Sequence, residues 1–211
     1  MKLKRGYLVA FEGIDGTGKS THCKWLEDKL KRLGVPVHLL REPTNGFWGK
    51  KIRELLREGR KSVSLKEELT WFMNDRREDV INNIFPALKK HKIVLMDRYY
   101  YSTAAYQGAA GLNPGIIISN NEEFAPVPDL IFVFYAPVDI CLERIRSSRG
   151  KLPDSFERKE YLEKVQLIFD RFSGSKFRRI DSSMAIKTIQ KKIIREIQEL
   201  VPRLKLDFSK L

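Results

Sequence analysis

The sequence contains only two cysteines and three histidines among its 211 residues. Cys23 and Cys141 lie far apart on predicted apolar helix faces, which favours buried free thiols over a disulfide or a metal site. The histidines show no mutual spacing that would suit zinc. This scarcity argues against disulfide-stapled proteins and against zinc-binding proteins of the cysteine–histidine type.

A long apolar run is also missing. No stretch is apolar enough to cross a bilayer, and the N-terminal residues show no signal-peptide pattern. We therefore expect no membrane partner and a cytoplasmic location. Because strand and helix signals alternate without a linker, a repeat or a low-complexity block, residues 1–211 are predicted to form a single domain.

Positive charge is in excess, with a formal net charge of +13. Such a charge can indicate a nucleic-acid-binding protein. The cations are spread over most of the predicted helices, however, and no helix-turn-helix, zinc-finger or RNA-recognition pattern focuses them. We therefore expect no nucleic-acid partner, and assign the charge to a solvated surface and to a site that handles anions.

The most informative motif is G-x-x-x-x-G-K-[ST], which residues 13–20 match. It follows an apolar, strand-like run and precedes a pattern of helical spacing. In such a loop the backbone N–H groups surround nucleotide phosphates, Lys19 reaches the outer phosphates, and the Ser20 hydroxyl can ligate magnesium. We predict a nucleotide as the ligand and Mg²⁺ as the cofactor, although the loop alone does not separate a GTPase, a motor ATPase and a small-molecule kinase. The residues predicted to bind the nucleotide are Gly13, Ile14, Asp15, Gly16, Thr17, Gly18, Lys19, Ser20 and Thr21.

Strand and helix patterns alternate along the whole chain. Strands are predicted over residues 7–11, 35–40, 93–96, 130–135 and 177–180. Beyond the helix that follows the loop, helices are predicted over residues 47–58, 65–89, 138–148, 161–172 and 186–200, with Pro86 disturbing the last turn of the second. This alternation indicates an α/β fold, a parallel five-stranded sheet flanked by helices, whose ligand crevice lies beyond the carboxyl ends of the strands.

Asp97 and Arg98 directly follow the strand over residues 93–96. They should therefore emerge at the same sheet edge as the phosphate loop. An aspartate there can hold magnesium or its water shell, and an arginine can bind phosphate oxygens through two hydrogen bonds. We predict Ser20 and Asp97 as metal ligands; the alternative for Asp97 and Arg98 is an ion pair at a strand end.

Together these segments resemble the thymidylate kinase family over essentially the whole chain. The resemblance rests on residues 11–21, Arg41-Glu42-Pro43, Asp97-Arg98-Tyr99 with Ser102, residues 105–108, Pro128-Asp129-Leu130, residues 144–149 and Phe156-Glu157. It implies a P-loop nucleoside-monophosphate kinase fold and transfer of the γ-phosphoryl group of ATP to dTMP. It also implies a lid at about residues 144–156 and a homodimer.

The resemblance further implies roles for individual residues. Catalytic roles fall to Lys19, Arg98, Arg144 and Arg149. Contacts with the acceptor substrate are implied for Asp15, Phe72, Arg76, Arg98, Thr103, Tyr106 and Gln107. Phe72 would stack on the pyrimidine and Arg76 would donate to its O4, although the residues alone would indicate core packing and a solvated charge. Tyr106 would crowd the 2′ side of the sugar.

Two segments depart from the family pattern. Bacterial members usually continue with two glycines and a threonine after Arg41-Glu42-Pro43, whereas residues 44–48 read Thr-Asn-Gly-Phe-Trp, and an arginine that is common after Gly108 is absent. A related kinase for another deoxynucleotide or nucleoside therefore remains an alternative. A nucleic-acid-binding or regulatory ATPase is favoured only by the charge. For the homodimer, an apolar surface is predicted from Leu69, Phe72, Met73, Val80 and Ile84.

Overall fold

A parallel sheet of five strands lies at the centre of the computed structural model, which describes residues 3–59, 63–149, 159–202 and 204, without the side chains of residues 148 and 149. The strands are β1 (Tyr7–Gly13), β2 (Val37–Arg41), β3 (Ile93–Asp97), β4 (Leu130–Tyr135) and β5 (Phe177–Asp181). Their order in the sheet is β2-β3-β1-β4-β5, and every neighbouring pair is parallel. The predicted α/β fold is confirmed.

Helices cover both faces of this sheet. They are α1 (Lys19–Arg32), α2 (Phe47–Glu58), α3 (Leu65–Asp79), α4 (Phe85–Lys89), α5 (Tyr100–Ala109), α6 (Pro114–Glu122), α7 (Val138–Arg149), α8 (Lys159–Arg171) and α9 (Ile186–Leu200). Helices α5 and α6 were not predicted from the sequence. They follow β3 and carry part of the candidate site.

The helix predicted over residues 65–89 is interrupted earlier than expected. A π-helical turn, Val80–Ile84, joins α3 to α4. Within it the N–H of Phe85 donates to the carbonyl of Val80, five residues back. Pro86 sits in the first turn of α4, where a missing N–H is tolerated. The irregular turn therefore precedes Pro86. The proline has no N–H to donate to the carbonyl four residues back, and the wider π-helical turn accommodates its ring.

Two hydrophobic layers sandwich the sheet, because successive strand residues point to opposite faces. In β1, Leu8 and Ala10 belong to one layer, whereas Val9 and Phe11 belong to the other. The first layer is completed by α5, α8 and the π-helical turn, and the second by α1 and α9. Both cysteines are buried free thiols, one in each layer, as predicted.

The outer surface of α3 to α4 differs from the predicted apolar surface. Val80 and Ile84 are buried in the layer that packs on the sheet, so they cannot form an external contact. Ile81 and Phe85 are exposed instead, at 67% and 41%. Within the described part of the chain, no helix has the length and apolar character needed to cross a membrane.

Candidate active site

The carboxyl ends of β1 and β3 bring the phosphate loop and Arg98 together. Phe11 is paired with Asp97 in the strand register, and the N–H of Arg98 donates to the carbonyl of Phe11 at 3.0 Å. Arg98 has a positive φ of 72°, which non-glycine residues seldom adopt. This backbone conformation turns the side chain from β3 toward the loop that follows β1.

Glycines shape the phosphate loop at positions where a side chain would not fit. Gly16 has a φ of 81°, and a Cβ built there would lie 2.3 Å from the carbonyl oxygen of Cys141 in α7. The loop closes on itself through the Thr17 hydroxyl, which donates to the Ile14 carbonyl at 2.7 Å. α1 then begins with no acidic residue in its first turn and no side-chain cap at Gly18. Its N-terminal N–H groups therefore face the loop, where they favour an anion.

Lys19 and Arg98 converge on one carboxylate. The Asp15 Oδ1 atom lies 2.7 Å from Arg98 Nη2 and 3.4 Å from Lys19 Nζ. Burial, together with the positive charge of Arg98, lowers the pKa of Lys19 to about 8, and Asp15 opposes the shift. Two cations that share one anion in a buried loop provide electrostatic compensation for phosphate groups.

Glu12 is completely buried at the end of β1, directly before the loop. Its Oε1 atom accepts from the N–H of Tyr99 at 3.0 Å, and its Oε2 atom accepts from the Ser102 hydroxyl. Burial raises the pKa of Glu12 to about 7, against the Ser102 hydrogen bond and the charges of Arg98 and Arg76. Sequence reasoning assigned Glu12 no role, although a charged residue closing an apolar strand was a visible signal.

Asp97 has the properties of a residue that holds a cation or its water shell. It is buried at the end of β3, and its Oδ1 atom has no hydrogen-bond partner. Its Oδ2 atom lies 3.6 Å from Arg41 Nε. Among the described residues, no group of three or more His, Cys, Asp or Glu side chains could hold a metal. A phosphate-loop magnesium needs no such group, because one carboxylate, one hydroxyl and the phosphates suffice. Asp97 therefore fits this ion, and Ser20, at the start of α1, stays its predicted hydroxyl ligand.

The predicted substrate residues surround a single pocket beside the loop. The pocket is lined by Asp15, Glu42, Pro43, Leu56, Phe72, Arg76, Arg98, Tyr99, Ser102, Thr103, Tyr106 and Gln107. All seven residues named from the family resemblance are in this set. A wider groove continues from the pocket toward Arg41, Arg53 and Arg57, which gives its outer part a positive charge.

Arg76 is buried, with only 1% of its surface exposed, so its interpretation as a solvated charge is wrong. Its Nε and Nη2 atoms donate to the two carboxylate oxygens of Glu42. Nη2 also donates to Thr103 Oγ1 at 3.0 Å, and Nη1 donates to Asn121 Oδ1 at 2.7 Å. A guanidinium has five N–H groups. These bonds use four of them and leave one on Nη1.

Phe72 and Gln107 complete the walls of the pocket. Phe72 is partly buried and packs at the edge of a small cluster with Trp71 of α3 and Ile52 of α2. The Gln107 side chain is buried, and its Nε2 atom donates to Glu68 Oε1 at 3.0 Å. Its Oε1 atom has no hydrogen-bond partner. The pocket thus combines an aromatic wall with a small number of oriented polar groups, as nucleotide and other small-molecule sites do.

The predicted lid lies partly outside the described residues. The Arg144 guanidinium donates to the carbonyl of Ser182 at 3.0 Å and to that of Gly16 at 3.5 Å. It therefore lies against the phosphate loop from the side of α7. The side chain of Arg149 and residues 150–158 are outside the described part, and the lid at residues 144–156 stays a prediction.

The segment that departs from the family pattern is fixed to α3 and α2. Thr44 donates to Asp75 through its N–H at 2.8 Å and through its hydroxyl at 2.6 Å. Arg53 donates to the carbonyl of Pro43 at 2.9 Å. Gly49 allows α2 to approach closely, because a Cβ there would lie 1.9 Å from the carbonyl oxygen of Thr44. The altered segment is therefore a defined wall of the groove.

Comparison with known proteins identifies the same family that the sequence motifs resemble. A family model described as "Thymidylate kinase" matches residues 11–193. A thymidylate kinase of Desulfotalea psychrophila is 46% identical over 196 residues, which cover 93% of this chain and 96% of that protein. One of Akkermansia muciniphila is 41% identical over 94% of this chain and 95% of its own length. A probable thymidylate kinase of Archaeoglobus fulgidus is 38% identical over 92% of this chain and 96% of its own.

Proposed function

Because the chain belongs to the thymidylate kinase family, we propose that it transfers the γ-phosphoryl group of ATP to dTMP, giving dTDP and ADP. One observation carries the proposal: the pocket that contains Phe72, Arg76 and Gln107 is also lined by Asp15 of the phosphate loop and by Arg98, which is paired with Asp15. A nucleoside monophosphate in this pocket would direct its phosphate toward Arg98 and Lys19.

The transfer requires positioning and charge neutralisation more than proton chemistry. The acceptor oxygen belongs to a phosphate that is already largely ionised at neutral pH, so no general base is needed. Lys19 and Arg98 supply positive charge where negative charge accumulates on the transferred group. Arg144 and Arg149 are proposed to add further positive charge from the lid. Mg²⁺, held by Ser20 and Asp97, would neutralise phosphate oxygens of ATP when bound.

The pocket supports thymine as the base. The remaining N–H on Arg76 Nη1 can donate to O4, and Phe72 offers a ring for stacking on the pyrimidine. Thr103 and Gln107 lie in the same pocket as further polar groups, and Tyr106, which also lines it, is proposed to disfavour a 2′-hydroxyl. The proposal includes a cytoplasmic location and no nucleic-acid partner.

We also propose a homodimer. Leu69 and Met73 of α3, four residues apart on one helical face, are partly exposed. Ile81 and Phe85 beyond them are exposed, and the exposed Arg77 separates the two pairs. Exposed apolar residues grouped on a surface helix are typical of a subunit contact.

A coupled assay of ADP release over a panel of nucleoside monophosphates tests the reaction. We expect dTMP to exceed dCMP by at least about a hundredfold in kcat/KM, because the amino group of cytosine would place a donor against the Arg76 donor. Lys19→Ala should lower turnover by about a hundredfold or more, since it removes a charge from an anionic transition state.

Lys24→Ala is the matched control, because Lys24 lies on the same helix but is exposed and pairs with Glu27 and Asp28. Its turnover should stay close to that of the wild type. ADP release that does not depend on an acceptor would contradict the kinase proposal. So would a Lys19→Ala enzyme within tenfold of wild type, and equal use of dTMP and dCMP would remove the thymine assignment alone.

A further inference from the structure

Glu12 is a buried carboxyl group that the proposed reaction does not use. A carboxylate in the interior is costly unless its oxygens are hydrogen-bonded. Both of its oxygens are bonded to the start of α5: Oε1 accepts from the N–H of Tyr99 at 3.0 Å, and Oε2 accepts from the Ser102 hydroxyl. The first contact fixes the chain as it enters α5. The second leads to the phosphate site.

Ser102 connects Glu12 to Arg98. Its hydroxyl has one hydrogen, which is donated to Glu12, so its oxygen is left to accept. It accepts from Arg98 Nη1 at 2.9 Å. The direction of both bonds is therefore set by the carboxylate: Arg98 donates to Ser102, and Ser102 donates to Glu12.

Arg98 is consequently held between two carboxylates of different accessibility. Its Nη2 atom donates to Asp15, which is partly exposed in the loop. Its Nη1 atom is directed to Ser102 and, at 3.3 Å, to the carbonyl of Gly13. An incoming phosphate can reach the Asp15 side of the guanidinium. It cannot reach Glu12, which is completely buried.

We propose that Glu12 is a positioning residue that, through Ser102, holds the Arg98 guanidinium against the 5′-phosphate of the acceptor. Arg98 Nη1 keeps its hydrogen bonds to Ser102 and Gly13 when the phosphate binds. Arg98 Nη2 then donates to the phosphate, either in place of Asp15 or together with it. The guanidinium then needs no reorganisation when the anion arrives, which is the condition under which fixed charges stabilise a transition state best. The inference rests on the proposed function only for the identity of the acceptor.

Paired ligands separate this role from a structural one. Glu12→Gln keeps an acceptor for Tyr99 but presents an amide N–H to Ser102, so that the hydroxyl can no longer donate to residue 12. The substitution also removes the negative charge that Glu12 carries above its pKa of about 7. Isothermal titration calorimetry should show dTMP affinity falling by about tenfold or more, because a charge-assisted contact is weakened. Thymidine, which lacks the phosphate, should bind within about twofold of wild type, since the base pocket is unchanged.

Ser102→Ala is the second variant, and it leaves the carboxylate in place. It should lower dTMP affinity selectively as well, even if Glu12→Gln fails to fold. Glu196→Gln is the matched control, because Glu196 is also buried and paired with arginine, here Arg178, but lies on α9. Its affinities for dTMP and thymidine should both match the wild type. In kinetics, Glu12→Gln should raise the KM for dTMP and lower kcat while the KM for ATP stays constant.

A double-mutant cycle with Arg98→Ala completes the test. If Glu12 acts through Arg98, adding Glu12→Gln to Arg98→Ala should cause no further loss of dTMP affinity. An additive loss, or an equal loss for dTMP and thymidine in both single variants, would overturn the inference. If the wild type uses another nucleoside monophosphate, the proposed function fails. The same variants, compared on that nucleotide and its nucleoside, still decide the role of Glu12.

Discussion

At the scale of residues, Arg76 and Glu42 form a buried ion pair that links two segments distant in the sequence. Glu42 comes from the segment after β2, and Arg76 from the middle of α3, and both are almost completely buried. Burial raises the pKa of Glu42, whereas the charge and hydrogen bonds of Arg76 oppose the rise and favour the ionised form. The two side chains compensate one another, so the loss of either leaves an unpaired group in the interior.

Arg76→Ala should therefore destabilise the protein by about 3–5 kcal/mol, the usual cost of leaving a buried charge without its partner. Urea unfolding followed by circular dichroism measures this free energy. Adding Glu42→Gln should recover part of the loss, because it removes the uncompensated carboxylate. Arg77→Ala is the control on the next residue, whose side chain is exposed. The buried-pair interpretation is wrong if the two arginine variants are equally stable.

The sequence identified the residues of this site better than it identified their partners. From spacing alone, Phe72 indicated core packing and Arg76 a solvated charge, and only the family resemblance placed them at the substrate. Neither Glu42 nor Asn121 was given a role, because they lie 34 and 45 residues from Arg76 along the chain. A local sequence pattern indicates which side of a helix or strand is buried. It does not indicate which distant residue an arginine will contact, because that depends on how the helices and strands pack.

At the scale of elements, the sequence predicted helix bounds best where the helix is amphipathic. The predicted bounds of α2 and α9 match the structure residue for residue, because each helix has one apolar and one polar face. α5 was missed because Tyr100, Ser102 and Ala104 are all buried, so its pattern has no solvent-facing side. A helix inserted between the sheet and its neighbours gives no periodic signal.

The contact between α2 and the segment after β2 gives a prediction at this scale. Gly49→Ala would place a methyl group within 1.9 Å of the Thr44 carbonyl oxygen, so either α2 or the segment must move. We expect a loss of about 1–3 kcal/mol, as is common for overpacking, measured by urea unfolding. The KM for dTMP should rise, because Thr44 and Arg53 line the groove beside the acceptor pocket. Lys50→Ala, at the exposed neighbouring position, should change neither value.

At the scale of the whole molecule, the irregular helix over residues 65–89 serves two surfaces. Its inner side carries Arg76 to the pocket and buries Val80 and Ile84 against the sheet. Its outer side leaves Ile81 and Phe85 exposed. Ile81 and Phe85 directly follow Val80 and Ile84 in the chain, and successive residues of a helix point in different directions, so the two apolar sets face different surfaces.

We expect multi-angle light scattering at micromolar concentration to give about twice the chain mass of 24.6 kDa. Replacing both Ile81 and Phe85 by aspartate should yield a monomer, because charges would be buried in the contact. Leu167→Asp is the control, since Leu167 is also exposed, at 59%, but lies on α8. A wild-type mass of a single chain would refute the dimer, and dissociation by Leu167→Asp would place the contact elsewhere.

The convergence of Lys19 and Arg98 on Asp15 also couples nucleotide binding to protons. In the free loop, burial and the neighbouring guanidinium hold the pKa of Lys19 at about 8, so the amine begins to lose its proton just above neutral pH. Phosphate oxygens favour the charged amine and raise this pKa. Above about pH 8, binding must therefore take up a proton, and nucleotide affinity falls as the pH rises. We therefore expect the alkaline limit of nucleotide binding, measured as affinity against pH, to follow the titration of Lys19 in the phosphate loop.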